Sequence, residues 1–204
     1  LIGIVIASVV AVFQTNVKRM LAFSSVAQIG YMALGISLLS VNGLTGAIVH
    51  LFNHALIKAA LFLSVACVCY RIGAVDLVAL KGIGRRMPWT MSAFVVAGFS
   101  LVGVPLTAGF ISKWYLLLAA LDAGMVFVAF VIVATSLIAF VYVWKVVETG
   151  FFQAPENDDR AISEAPLSML VPLWVLVLAN VYFGVKTELT VGVSQRAAQS
   201  LLGF

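Results

Sequence analysis

LTGAIVHLFNHALIKAALFLSVACVCY, residues 44–70, is an apolar run that carries a lysine near its middle and two histidines before it. A helix of about 20 apolar residues crosses the hydrocarbon layer of a bilayer, so this run is long enough to do so. Lys58 then lies roughly 20 Å along the helix from its outer end, too deep to reach the headgroups easily. A lysine at the bilayer centre costs about 2.5–3.5 kcal/mol on insertion scales, several times what one leucine returns. An idle lysine at that depth is poor chemistry, and a working one is the default reading.

His50, His54 and Lys58 stand at i, i+4 and i+8, so all three share one helix face. They include both histidines of the chain. An imidazole can pass a proton because one ring nitrogen accepts while the other donates. An amine in a low-dielectric site can hold or release a proton as neighbouring charges change. The plainer alternative is two satisfied core histidines and a lysine bonded to a carbonyl.

The rest of the chain has the same solvent preference. Of 204 residues 63% are apolar and 10% charged, against about a quarter charged in soluble domains. A bilayer offers backbone groups no partners, which leaves helices or closed barrels, and continuous apolar runs exclude the alternating barrel pattern. The net charge of +4 is read as loop orientation and not as nucleic-acid binding, because the basic residues sit between apolar runs. Cys67 and Cys69, two apart on one helix, point about 200° apart and cannot bridge each other. No glycine-rich phosphate loop and no Cys/His cluster with metal spacing occurs, so neither a cofactor nor a metal is expected.

Six segments are expected: residues 1–13, 20–40, 44–70, 91–121, 124–147 and 167–185. The first is too short to span and reads as the tail of a helix begun earlier. Val41, Asn42 and Gly43 read as a tight turn, and residues 148–166 as a polar linker containing Pro155, Asn157, Asp158, Asp159 and Arg160. The last stretch, to Phe204, reads as a short amphipathic surface helix. Residues 91–121 are longer than one crossing needs and carry Gly103, Pro105 and Gly109 at their centre. Pro105 lacks a backbone donor and clashes with the preceding turn, so two half-helices around an unwound stretch are predicted. Broken helices at membrane depth occur where they are buried in protein or line a polar cavity.

If each segment crosses once, Lys18, Arg19, Arg71, Lys81, Arg85, Arg86, Lys145 and Arg160 share one side, while Lys186 and Arg196 share the other. The positive-inside rule makes the crowded side cytoplasmic and puts the C-terminus outside. Two crossings by residues 91–121 would destroy that asymmetry.

Lys113 follows Gly109, Phe110, Ile111 and Ser112, just past the break, where unpaired carbonyls are within reach. The rival reading is a lysine at the end of a half-helix, reaching for headgroups. No Asp or Glu precedes Asp76, so Lys58 has no carboxylate in its own or the preceding spans. An acidic partner is expected elsewhere, and protons suit these helices better than dehydrated Na⁺, which wants oxygen ligands. Ser24, Gln28 and Tyr31 form a further polar face at i, i+4 and i+7, open equally to hydrating the path and to helix–helix hydrogen bonding.

The strings VKRMLAFSSVAQIGYM, HLFNHALIKAALF and GVPLTAGFISKWYLL resemble the antiporter-like subunits shared by respiratory complex I, membrane-bound hydrogenases and Mrp-type cation/proton antiporters. RRMPWTM and ISKWYLL look most similar to the Mrp D-type subunit. The resemblance covers the chain to about Phe152. It implies a 14-helix subunit of two inverted repeats, of which this chain holds the second. It also implies that Lys58 is the central proton-carrying lysine, His50 and His54 its relay, Lys113 the terminal lysine, and Lys18 a lysine near the cytoplasmic side. The glutamate–lysine ion pair of the first repeat has no counterpart here.

The expected fold is therefore an all-α membrane protein of about six transmembrane helices, one broken over residues 91–121. Residues 1–152 are expected to form the conducting domain, and residues 153–204 a linker, one further span and a tail. The expected function is proton translocation within a multisubunit Na⁺/H⁺ antiporter in the plasma (inner) membrane, with other membrane subunits and lipid as partners. The rivals are a proton-pumping subunit of an NADH:quinone oxidoreductase or hydrogenase, and a structural scaffold.

Overall fold

The computed structural model describes residues 1–154 and 162–203. Among them the chain forms α1 (Ile2–Phe13), α2 (Val17–Ser37), α3 (Val41–Ile72), α4 (Ile83–Arg86), α5 (Pro88–Val102), α6 (Ala108–Asp122), α7 (Val126–Phe152), α8 (Leu167–Val185) and α9 (Glu188–Leu202). A 3-10 turn, Val78–Leu80, precedes α4. α2, α3, α7 and α8 are each long and apolar enough to cross a membrane. The all-α membrane architecture expected from the sequence is the one that forms.

Short-range chemistry sets the helix ends and moves several expected boundaries. Asn16 accepts the Arg19 backbone N–H at 3.2 Å and starts α2 early, so Lys18 and Arg19 stand in its first turn. Ser40 likewise caps α3 by accepting from Gly43 N at 3.1 Å. The turn expected at residues 41–43 is thereby displaced to 38–40, where Leu39 takes φ 45°. α7 runs on to Phe152, past the expected end at 147. Pro155, Asn157, Asp158, Asp159 and Arg160 of the expected linker lie outside the described residues.

Contacts across the loops show which ends share a side. Asn16 of the α1–α2 turn donates to Asp76 beyond α3 at 3.0 Å. Lys145 of α7 donates to the Val12 and Gln14 carbonyls at the end of α1, at 3.2 and 3.3 Å, and Gly82 N reaches the Thr149 carbonyl of α7. At the opposite end Asn42, starting α3, donates to Asp122, ending α6, at 3.0 Å. α5 and α6 thus run from one end of the bundle to the other as one broken crossing. Lys18, Arg19, Arg71, Lys81, Arg85, Arg86 and Lys145 belong to one end.

The interior is layered. One apolar core, toward the basic end, includes Met20, Leu21, Leu61, Phe94, Leu101 and Val143. A smaller one, toward the other end, includes Ile4, Leu34, Leu116, Val128 and Ile132. Between them, helix by helix, fall the buried polar residues: Ser24 and Gln28 on α2, Ser112 and Lys113 on α6, and Thr135 on α7. His50, Asn53 and Lys58 of α3 lie buried in the same layer. Outside, large apolar side chains such as Ile6, Phe13, Phe127, Leu137 and Val171 are exposed. An apolar exterior around buried charge is what a hydrocarbon solvent imposes.

α5 ends where Gly103 adopts φ 93°, and Leu106 follows at φ 71°. The unwound stretch is residues 103–107, as the glycines and Pro105 predict, but Gly109 already belongs to α6. Gly109 lies so close to the Ser100 carbonyl that a side chain there would collide with it. The expected tail helix is α9, whose Ser194 and Ala198 are buried while Leu189, Val193 and Leu201 are exposed. It packs on α3.

Candidate functional site

Both interior lysines are buried, each 7% exposed, and neither tip lies at the surface. Lys58 donates to the Leu21 carbonyl at 2.8 Å and to Ser24 Oγ, both on α2. Ser24 in turn donates to the Leu21 carbonyl at 2.8 Å. Lys113 donates to the Leu101 and Val102 carbonyls at 3.0 and 2.8 Å, and to Ser136 Oγ of α7 at 3.0 Å. Leu101 and Val102 end α5, where a helix leaves its last carbonyls without intrahelical partners. The break thus supplies Lys113 with its acceptors, and the ammonium also lies over the Tyr31 ring at 5.3 Å. Among the described residues no carboxylate pairs with either amine.

The two histidines stand between the lysines. The rings of His50 and His54 stack at 6.3 Å, and Tyr31 meets His50 edge-on at 5.7 Å. His50 is 1% exposed and its Nδ1 lies 2.7 Å from Ser112 Oγ. Ser112 donates to the Gly109 carbonyl at 3.2 Å. The network therefore assigns the His50 proton to Nδ1, donating to Ser112, and leaves Nε2 as an acceptor. The Nε2 atoms of His50 and His54, the Asn53 Oδ1, the Thr45 hydroxyl and the Tyr142 hydroxyl are buried without a protein partner. Each such atom costs about 1–3 kcal/mol unless water satisfies it. Five of them among the helices that carry the lysines mark a place made for hydration.

Of the other residues singled out from sequence, Tyr31 reaches Thr135 Oγ1 at 2.5 Å and Gln28 is buried on the same face. Pro105 lies exposed within the break. Lys18 is not brought to the lysine–histidine group: it sits exposed at the basic end, 3.8 Å from Cys69 Sγ. Sequence reasoning missed Asn53, whose Nδ2 holds the Ala108 carbonyl at the start of α6 at 2.5 Å, and the Thr135–Ser136 pair. That pair interrupts the apolar run VIVATSLIAF, residues 131–140, a signal of the same kind as Lys58 but uncharged.

Residues 1–139 match the family described as NADH:quinone oxidoreductase/Mrp antiporter, TM. The chain belongs to this family. Its antiporter-type helices are 41% identical over 199 residues to the NADH-quinone oxidoreductase subunit N of Desulforudis audaxviator, covering 91% of this chain and 40% of that protein. They are 29% identical over 192 residues to the D-type subunit of the Na⁺/H⁺ antiporter of Alkalihalophilus pseudofirmus, covering 94% and 39%. The fold matches a chain of the Mrp complex from Dietzia sp. DQ12-45-1b with a TM-score of 0.91 and 27% identity, covering 98% of this chain and 47% of that one. The chain thus spans less than half the length of these relatives.

Proposed function

We propose that this chain carries a proton path through a multisubunit membrane complex. Lys58 stores a proton, His54 and His50 relay it, and Lys113 exchanges it with the far side. One observation carries the reading: two buried amines without carboxylates, joined by stacked imidazoles whose free nitrogens are unsatisfied. A proton leaving Lys58 can be taken up by the free nitrogen of His54. The His50 Nε2 is an acceptor, while its Nδ1–H points through Ser112 toward α6 and Lys113. Residues 1–152 would form the conducting part, and residues 153–204 a linker and further helices.

The decisive variant is Lys58→Ala in the assembled complex. Proton-coupled activity should vanish while the complex still assembles. Transport left intact would favour the scaffold reading.

Two machines could use such a path. The 41% identity to an NADH-quinone oxidoreductase subunit supports a redox-driven proton pump, in which electron transfer in partner subunits powers the path. The TM-score of 0.91 to a chain of the Mrp complex supports the cation/proton antiporter. Co-purification with hydrophilic iron–sulfur subunits would establish the first, and Na⁺-dependent proton exchange without them the second. We also place the basic end at the cytoplasm and α9 on the outer side of the plasma membrane. Labelling of an Arg196→Cys variant by an impermeant thiol reagent added outside tests that orientation.

A further inference from the structure

α8 lies at the edge of the bundle with Val171, Val175 and Leu178 turned outward, yet it carries an asparagine that is 0% exposed. A polar side chain buried in such a helix needs partners. Asn180 donates from Nδ2 to the Leu176 carbonyl of its own helix at 2.9 Å. Its Oδ1 accepts from Ser100 Oγ of α5 at 3.2 Å. Ser100 Oγ accepts in turn from the Gly109 backbone N–H of α6, also at 3.2 Å. A chain of hydrogen bonds thus joins α8 to both half-helices across the break.

The direction of those bonds matters. Gly109 N–H belongs to the first turn of α6, where a helix has donors without intrahelical acceptors. Thr107, at the cap position, does not serve them, because its hydroxyl donates to the Val104 carbonyl at 2.6 Å. Ser100 therefore caps α6 from the other half-helix. By accepting the Ser100 hydroxyl proton, Asn180 fixes that hydroxyl so that its lone pairs face Gly109. One turn along α8, Gly184 presses on the break itself: a Cβ there would come within 2.5 Å of the Leu106 carbonyl oxygen and Thr107 Cα. Leu106 is one of two non-glycine residues with positive φ among the described residues, and α8 lies directly against it. Both α8 positions lie beyond residues 1–139, the part matched to the family.

We propose that Asn180, with Gly184 against the break, is a positioning residue for the proton path. α8 latches α5 and α6 at the separation at which Lys113 reaches the Leu101 and Val102 carbonyls. This rests on the role given above to Lys113. The latch touches no titratable group, so its influence on protons runs only through the geometry it holds.

The test uses Asn180→Leu in the assembled complex, with Gly184→Ala as the second variant should the first fail to assemble. Backbone amide exchange over residues 104–110 should rise about tenfold, as expected when a local hydrogen-bonded unit opens more readily. Proton-coupled turnover should fall by a similar factor, about tenfold, with a displaced pH profile because the acceptors of Lys113 move. Unchanged exchange and an unchanged profile would overturn the proposal. A fall in turnover with neither of them moved would overturn it too, as a general loss of stability. Faster exchange with normal turnover and profile would likewise deny Asn180 a positioning role. If Lys113→Ala leaves turnover intact, the proton-path reading is what fails, and the exchange measurement alone then judges the latch.

Discussion

Lys58 and Lys113 solve the same problem in different ways. Lys58 sits within an unbroken helix and borrows a carbonyl, Leu21, that three side chains share: its own amine, Ser24 and Ser25. Lys113 sits beside a break and takes two carbonyls released at the end of α5, with Ser136 and the face of Tyr31 besides. An ammonium has three donors. Lys113 uses three, whereas Lys58 has two protein acceptors and faces the half-buried His54. The continuous helix under-serves its amine, which makes release easy, and the broken helix holds its amine firmly until the break changes shape. The two lysines differ in tether more than in burial.

The largest effect should come from removing either amine. Lys58→Met and Lys113→Met should each lower proton-coupled turnover by about a hundredfold or more, the scale of losing a positioned proton-transfer group. The melting temperature of the purified complex should hold or rise, because an apolar chain replaces a buried charge. A complex that fails to assemble with either variant would make that lysine structural and end the comparison.

Trimming the acceptors should sharpen it. Ser24→Ala removes one of two partners from Lys58, and Ser136→Ala one of three from Lys113. A hydrogen bond to a charged group is worth about 1.5–3 kcal/mol. Turnover should therefore drop roughly tenfold for Ser24→Ala and clearly less for Ser136→Ala, by about threefold, as the remaining carbonyls compensate. Equal losses would contradict the difference in tether.

Backbone effects come next. Gly73, ending α3, and Gly103, ending α5, both have positive φ, 75° and 93°. Alanine at either should cost about 1–2 kcal/mol of stability. Only at Gly103 would the new methyl meet Lys113, 3.0 Å from its Cδ, so only Gly103→Ala should also slow turnover. Thermal denaturation paired with a transport assay separates the two.

The smallest effect belongs to Tyr31→Phe. It loses the bond to Thr135, about 1 kcal/mol, but keeps the ring under Lys113, so stability should dip and turnover should hold. Turnover abolished by this variant would put the phenol hydroxyl on the path.

Much of this was legible in the chain. Apolar runs of membrane-crossing length, the i, i+4, i+8 stripe of His50, His54 and Lys58, and the Gly103–Pro105 break are local patterns, and each produced the expected local structure. The small errors were also local. Ser40 and Asn16 started their helices earlier than the apolar runs suggested, because capping side chains set helix ends more sharply than hydropathy does. Lys18 was put among the site residues by resemblance, and the fold leaves it at the basic end.

What the sequence determined by itself was the solvent, the helical class, the place of the break and which side chains are too polar for their depth. Those follow from composition and from the period of one helix. What only the tertiary structure decided was where each amine finds its acceptors. Leu21 lies 37 residues from Lys58, Ser136 lies 23 from Lys113, and Ser100 lies 80 from Asn180. Such pairings leave no periodic trace in the chain. They arise because apolar faces pack the helices first, and the buried donors must then bond to whatever oxygen the neighbouring helix, or its broken end, presents.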